Sequence, residues 1–267
     1  MTSKYLSPSA YVRKIKYLSA KIVFALGGKL KVTTSCDGFK ILFLAGSFKE
    51  YVLRARESYH REEVTMYWLR EVIAESDVVY DIGANVGAYS LYAGRKVALG
   101  KGRVYAFEPG FPNFSPLCRN IEINGLNETV IPYAVAVGSN NQEGKFYLRS
   151  TIRGDALHGL SEPTSEGREF LSKFLQGTYI VSLDNFVRDP GVKFPNHIKI
   201  DVDGSESQII KGMQDVMADS RLKSIMIEIN SDVNGQTIED RILSSGFSES
   251  MVEQWKGRNT FNKLFQR

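Results

Sequence analysis

Val78-Val79-Tyr80-Asp81-Ile82-Gly83-Ala84-Asn85-Val86-Gly87 is the stretch that decides the fold of this 267-residue chain. It begins as a short apolar run and ends in two glycines. An amphipathic segment, residues 88–98, follows at once. A buried strand, a tight glycine turn and a helix, in that order, make the first unit of a ligand-binding βα sheet. A glycine turn that binds nothing has the same local pattern, so the flanking residues decide the reading.

Two details narrow the ligand. A dinucleotide turn has the spacing G-x-G-x-x-G. Here the spacing is Gly83-x-x-x-Gly87, with Asn85 in the middle. Asp81 closes the strand, and the reading points its carboxylate at the ligand. A phosphate there would be repelled by roughly 4 kcal/mol at 4 Å and an effective dielectric near 20. A cation would be attracted, and S-adenosylmethionine carries a sulfonium and an amino group. The next apolar run, residues 104–107, ends in Glu108-Pro109, 25 residues past Gly83. An acid at that strand tip can take both ribose hydroxyls. The expected donor-binding set is therefore Asp81, Gly83, Ala84, Asn85, Gly87, Glu108 and Pro109.

Composition sets the bounds. The length suits one α/β domain of about 200 residues with an added element. The apolar share of 43% is enough for a core. Cys36 and Cys118 are far apart and form no metal or redox motif, so a reducing, cytoplasmic setting is expected. No apolar run reaches the roughly 18–20 residues that cross a bilayer, and no leader with a clean apolar core is evident. Residues 1–36 hold seven Lys or Arg and no acid, while the remainder holds 27 basic and 30 acidic residues. The body is thus near neutral, which disfavours nucleic acid as a partner.

Residues 1–75 read as an N-terminal extension and residues 76–267 as the donor-binding domain. Tyr11, Ile15, Leu18, Ile22 and Leu26 fall at helical spacing before Gly27-Gly28, predicting a helix that packs on the main domain. Its Lys-rich character leaves peripheral membrane contact as the alternative. A hairpin is expected over residues 30–34 and 39–43, a strand over 50–54 and a helix over 61–74. Beyond Gly87 the pattern predicts strands near 104–107, 129–137, 144–149, 178–181, 197–202 and 224–229, and a closing hairpin over 247–265. Pro132 marks a bulge or a sheet edge. Residues 150–177 read as a long loop with a short helix after Glu166, and His158 lies in it. The fold class is α/β, a Rossmann-like, mostly parallel sheet with helices on both faces.

Taken together, these segments resemble the FkbM-type S-adenosylmethionine-dependent methyltransferases. The resemblance runs from about Glu75 to Phe265. It rests on Asp81–Gly87, Phe107-Glu108-Pro109, Asn120–Gly125, Ser182-Leu183-Asp184-Asn185-Phe186, Ile198–Gly204 and Ile227-Glu228, in the family's order. It implies a class I methyltransferase sheet of seven strands with the last antiparallel. It also implies methyl transfer to oxygen, commonly a sugar or polyketide hydroxyl. By that likeness Asp81, Gly83, Asn85 and Gly87 hold the methionine end of the donor, and Glu108 holds the ribose. Family members often have Glu where Asp203 stands and Ala where Ser205 stands.

Strand period puts Lys199, Asp201 and Asp203 on one face, at the carboxyl edge where such sheets bind ligands. Asp201 or Asp203 is the expected base or acceptor-orienting group, with His158 as runner-up. Two other readings of the acids stay open: a divalent metal site, and a structural role with Asp203 capping the next helix. A sugar or other hydroxyl-bearing acceptor is expected. A non-catalytic scaffold that binds the donor or a glycan, and methylation of protein or nucleic acid, are the alternatives. The oligomeric state is not encoded in these features.

Overall fold

A computed structural model describes residues 8–233 and 235–267. Residues 1–7 of the expected extension, and the Tyr11 side chain, lie outside the described residues. Helix α1 (Pro8–Ala25) leads into the hairpin β1 (Leu30–Cys36) and β2 (Phe39–Ala45). The main domain starts at β3 (Val78–Ile82), every residue of which is buried. Helix α2 (Ala88–Val97), β4 (Arg103–Phe107), helix α3 (Phe111–Ile123) and β5 (Val130–Tyr133) follow. Then come β6 (Gln142–Leu148), β7 (Phe174–Val181), β8 (His197–Ile200), helices α4 (Glu206–Lys211) and α5 (Gln214–Ala218), and β9 (Ser224–Asn230). Helix α6 (Gly235–Ser244), β10 (Ser248–Gln254) and β11 (Thr260–Gln266) complete the chain.

Seven strands form the central sheet in the order β10-β11-β9-β8-β3-β4-β5. Strands β9, β8, β3, β4 and β5 are parallel, and β11 runs antiparallel between β9 and β10. The strand period of two sorts the side chains onto two faces. Val79, Val104 and Ala106 join a core shared with Ile41 and Phe43 of the hairpin, Trp68, Leu91 of α2 and Leu117 of α3. Tyr80, Ile82, Tyr105, Phe107, Ile198 and Ile200 face a second core with Leu183, Ile209, Met213, Val216 and Ile242. Burying each large apolar side chain contributes about 1.5–3 kcal/mol, so neither face can be stripped without loss of the sheet. The hairpin at residues 30–45 is therefore one wall of the main domain's own core.

Several expected elements differ. Residues 50–54 form a turn of π-helix, because Glu50 and Tyr51 are both buried and helical spacing lets both turn inward. The helix expected over 61–74 is three short pieces, since Glu62 is extended (φ −124°, ψ 91°). The strand expected over 129–137 splits. Residues 130–133 form the edge of the main sheet, where Pro132 needs no ladder partner on its open side. Ala136–Val137 crosses to a second, four-stranded sheet with β7, β6 and Gly159–Leu160. Residues 167–181 hold no helix. Thr164–Ser165 pairs with Arg168–Glu169, and β7 starts earlier than expected, at Phe174.

Helix α1 also packs differently from its expected orientation. Ala20 is buried, and Tyr17 and Phe24 rest on the first core. Ile15, Leu18, Ile22 and Leu26 are 51–82% exposed. Two sets of apolar residues share one spacing, and the aromatic set wins the inside because Tyr17, Phe24, Phe48 and Tyr51 form an edge-on cluster.

A polar chain closes the end of the sheet away from the glycine turn. Trp68 Nε1 donates to Ser224 Oγ at 2.8 Å, and that hydroxyl lies 2.7 Å from His197 Nδ1. Since the Trp68 N–H uses the oxygen as acceptor, the hydroxyl donates to Nδ1 and the ring proton sits on Nε2, 2.8 Å from Asp77 Oδ2. Lys223 Nζ reaches Asp77 Oδ1 at 2.7 Å. Burial alone would raise the Asp77 pKa, but His197 and Lys223 hold it well below the usual carboxylate range. Asp77→Ala is expected to destabilise the fold by about 1–3 kcal/mol, because it leaves the buried His197 ring N–H without an acceptor while the half-exposed Lys223 can turn to water. Urea unfolding of the two proteins at neutral pH measures it.

Candidate active site

The cavity lies at the carboxyl ends of β3, β4 and β8, where ligands enter open α/β sheets. About 670 Å³ of empty space, part of it open to solvent, lies between its lining residues. Gly83, Asn85, Glu108, Pro109, Asp201, Asp203 and His158 all line it. Arg54, Asn113, Asp155 and Ser205 line it too.

The glycine turn is shaped by its neighbour rather than by a phosphate. Gly83 has φ +83°, and a Cβ there would sit 1.8 Å from the Asp201 carbonyl oxygen. The backbones after β3 and β8 thus touch, and only glycine allows it. Asn85 is left-handed at φ 51°. Its N–H donates to Glu108 Oε2 at 3.0 Å, while Gly110 N–H donates to Glu108 Oε1 at 2.8 Å. Each oxygen keeps a free lone pair for a further donor. Burial pushes the Glu108 pKa up to about 7 despite these two bonds.

The strand parity of β3 decides where the Asp81 side chain lies. It does not line the cavity. It lies on the hairpin-covered face, opposite Lys199 in the register. Its Oδ2 accepts from the Ser90 hydroxyl, and its Oδ1 lies 3.8 Å from Lys199 Nζ. Ala84 and Gly87 are also absent from the lining. Ala84 N–H donates to the Phe107 carbonyl, and Gly87, at φ +92°, starts α2 against Leu117.

Asp201 and Asp203 differ sharply. Lys199 is 1% exposed and bonds Asp201 Oδ2 at 2.8 Å, with its ammonium 5.2 Å from the Tyr89 ring centre. Burial opposes charge on both partners, but Lys199 keeps Asp201 ionised, its pKa below the ordinary value. The lysine in turn stays protonated because Asp201 and Asp81 outweigh its desolvation. Asp203 has a backbone φ of 63° and accepts the Leu157 N–H at Oδ2. Burial and then the nearby Asp201 charge push its pKa up to about 6. It does not cap α4, whose N-cap residue is Ser205 and which has no side-chain cap. Glu166, Asp203 and Glu228 have carboxylate oxygens within 4.8 Å of one another, so among the described residues the three acids that could meet a cation do not include Asp201.

His158 is 7% exposed, against Phe146. Its Nδ1 accepts the Arg149 N–H at 3.3 Å, which places the ring proton on Nε2. That Nε2 has no partner. Burial lowers the His158 pKa to about 4. The ring is therefore a neutral donor facing a ligand cavity, not a base. Its neighbours Val135, Ala136, Val137, Phe146 and Leu160 give the cavity an apolar side.

The loop at residues 153–157 closes over this cavity. Asn85 Nδ2 and Asn113 Nδ2 both donate to the Asp155 carbonyl, at 2.8 and 3.1 Å. Gly154 N–H donates to Asn113 Oδ1, and its carbonyl accepts from Arg54 Nε at 3.1 Å. Ser47 Oγ donates to the Arg153 carbonyl, and Lys49 pairs with the Asp155 carboxylate. Arg54 and Asp155 were not legible as site residues, because a hundred residues separate these partners and neither carries a local motif.

The Methyltransferase FkbM domain matches residues 81–248. Hexuronic acid methyltransferase AglP of Haloferax volcanii is 26% identical over 243 residues, covering 91% of this chain and 92% of that protein. The 31-O-demethyl-FK506 methyltransferase FkbM of Streptomyces tacrolimicus is 26% identical over 202 residues, 67% of this chain and 74% of that one. Among solved structures, methyltransferase FkbM from Methylobacillus flagellatus superposes with a TM-score of 0.53 at 17% identity, covering 82% of this chain. The match spans 52% of that longer chain, and it supports the fold alone.

Lys199→Met leaves the buried Asp81 and the half-buried Asp201 without their counter-charge. The expected loss is about 3–5 kcal/mol of stability. Adding Asp201→Asn should recover part of it, and denaturant midpoints of the single and double variants check both statements.

Proposed function

The chain belongs to the FkbM methyltransferase family, and on that premise we propose that it moves the methyl of S-adenosylmethionine to a hydroxyl oxygen of a sugar. Supporting the donor is the Glu108 carboxylate, buried at a strand tip with a lone pair free on each oxygen. A ribose diol supplies the two donors it lacks. The adenine then falls on the side of Val135–Val137, Phe146 and Leu160, where the His158 Nε2–H can meet a ring nitrogen. The methionine end lies by Gly83, Asn85 and the Asp201 backbone. Asp81 acts at one remove, by holding Lys199 and through it the Asp201 tip.

The reaction is an in-line displacement. The acceptor oxygen forms a bond to the methyl carbon, the carbon–sulfur bond breaks, and sulfur keeps the electron pair to leave S-adenosylhomocysteine. The hydroxyl proton goes to Asp203, which has one carboxylate oxygen free and a pKa of about 6. Asp201 serves less well as base, since Lys199 already holds it ionised. Alignment of oxygen, methyl and sulfur supplies much of the rate, on the order of several kcal/mol. A sugar acceptor is favoured by the near full-length match to the hexuronic acid methyltransferase.

Two measurements test this reading. Binding of S-adenosylhomocysteine by titration calorimetry should weaken as pH falls below about 7, because hydroxyl donors favour the ionised Glu108. Glu108→Gln should lower affinity roughly tenfold or more, the value of a lost charge-assisted hydrogen bond, and should flatten that pH dependence. Asp203→Asn should cut methyl transfer to a hexuronic acid or neutral sugar by about 10²–10⁴-fold while leaving S-adenosylhomocysteine affinity unchanged. Undiminished transfer in that variant rejects the base assignment.

A further inference from the structure

The first 36 residues carry seven Lys or Arg and no acid, a bias that neither the donor cavity nor the core uses. The structure shows what that bias accompanies. Helix α1 is held to the body by Tyr17, Ala20 and Phe24, three and four residues apart. Ile15, Leu18, Ile22 and Leu26 repeat the same spacing about half a turn round the helix. They are 51%, 61%, 55% and 82% exposed. A helix that could have buried this stripe presents it to solvent instead. Lys14 and Lys16 are exposed beside it, the exposed Lys21 turns its ammonium over the Phe48 ring at 5.0 Å, and Lys29 and Lys31 extend the basic surface past the helix end.

We propose that α1 docks this protein on an anionic phospholipid surface, with Ile15, Leu18, Ile22 and Leu26 in the headgroup boundary and the flanking lysines on lipid phosphates. Charge decides the occupant. A protein partner could cover an apolar stripe of either sign. A run of seven cations with no acid matches a surface that is negative throughout. Long lysine stems lie along the apolar boundary while their ammonium groups reach outward. Helix α1 is too polar to cross the bilayer: among the described residues no helix is long and apolar enough to do so. It lies on the surface, and the body stays on the aqueous side.

Sedimentation with lipid vesicles tests this with the full chain. The protein should pellet with vesicles of phosphatidylcholine plus phosphatidylglycerol and stay in solution with phosphatidylcholine alone. Raising salt should release it, because exposed charges are screened within about 8 Å at physiological ionic strength. Leu18→Asp with Ile22→Asp should lower the partition coefficient roughly tenfold or more. The thermal midpoint and S-adenosylhomocysteine binding should be unchanged, since neither side chain packs on the core. Failure to bind anionic vesicles overturns the proposal, as does equal binding by the double variant. A dimer in light scattering that the same double variant dissolves also overturns it, and assigns the stripe to a second copy of the chain.

Discussion

A single buried ammonium holds the functional edge of this sheet together. Lys199 sits at 1% exposure between Asp81 and Asp201, with Tyr89 beneath it. A lone ammonium in that position would be forced to give up its proton. Two carboxylates prevent this, and each of them is kept ionised or shielded by the same contact. Because Asp81 ends β3 and Lys199 and Asp201 end β8, the group fixes two neighbouring strand tips relative to one another. The Gly83 turn then lies directly on the Asp201 carbonyl, so the charge cluster and the glycine contact define one surface. The rest of the site is built outward from it.

That arrangement divides labour among carboxylates that look equivalent in the sequence. Asp77 is committed to the far end of the sheet by His197 and Lys223. Asp201 is committed to Lys199. Glu108 has only backbone donors, and Asp203 only the Leu157 N–H and a crowd of like charges. Glu108 and Asp203, which no Lys or Arg contacts directly among the described residues, are the acids to which the proposed reading gives the ligand.

Much of this was legible in the sequence. The apolar run, glycine spacing and strand-end acids located β3, β4, β8 and the cavity edge, since parallel strands buried on both faces leave few alternatives. The direction of the Asp81 side chain was less legible, because it follows from the period of two along β3, which turns the carboxylate to the face that carries Lys199. The orientation of α1 was not legible, because Tyr17, Ala20 and Phe24 compete with Ile15, Leu18 and Ile22 at the same spacing. Only tertiary contact with Phe48 and Tyr51 chooses between them. Arg54 and Asp155 belong to loops whose meeting is set by long-range packing, for which no local pattern exists. His158 was found, but its role turned on a bond to the Arg149 backbone that no sequence shows.

The loop at residues 153–157 is fastened from three directions at once: by Asn85 beside the glycine turn, by Asn113 on α3, and by Ser47, Lys49 and Arg54 ahead of the main domain. On the donor placement proposed above, exchange of nucleoside past this loop works against fastenings that belong to distant parts of the chain. That placement ties turnover to how firmly the chain's first quarter is seated.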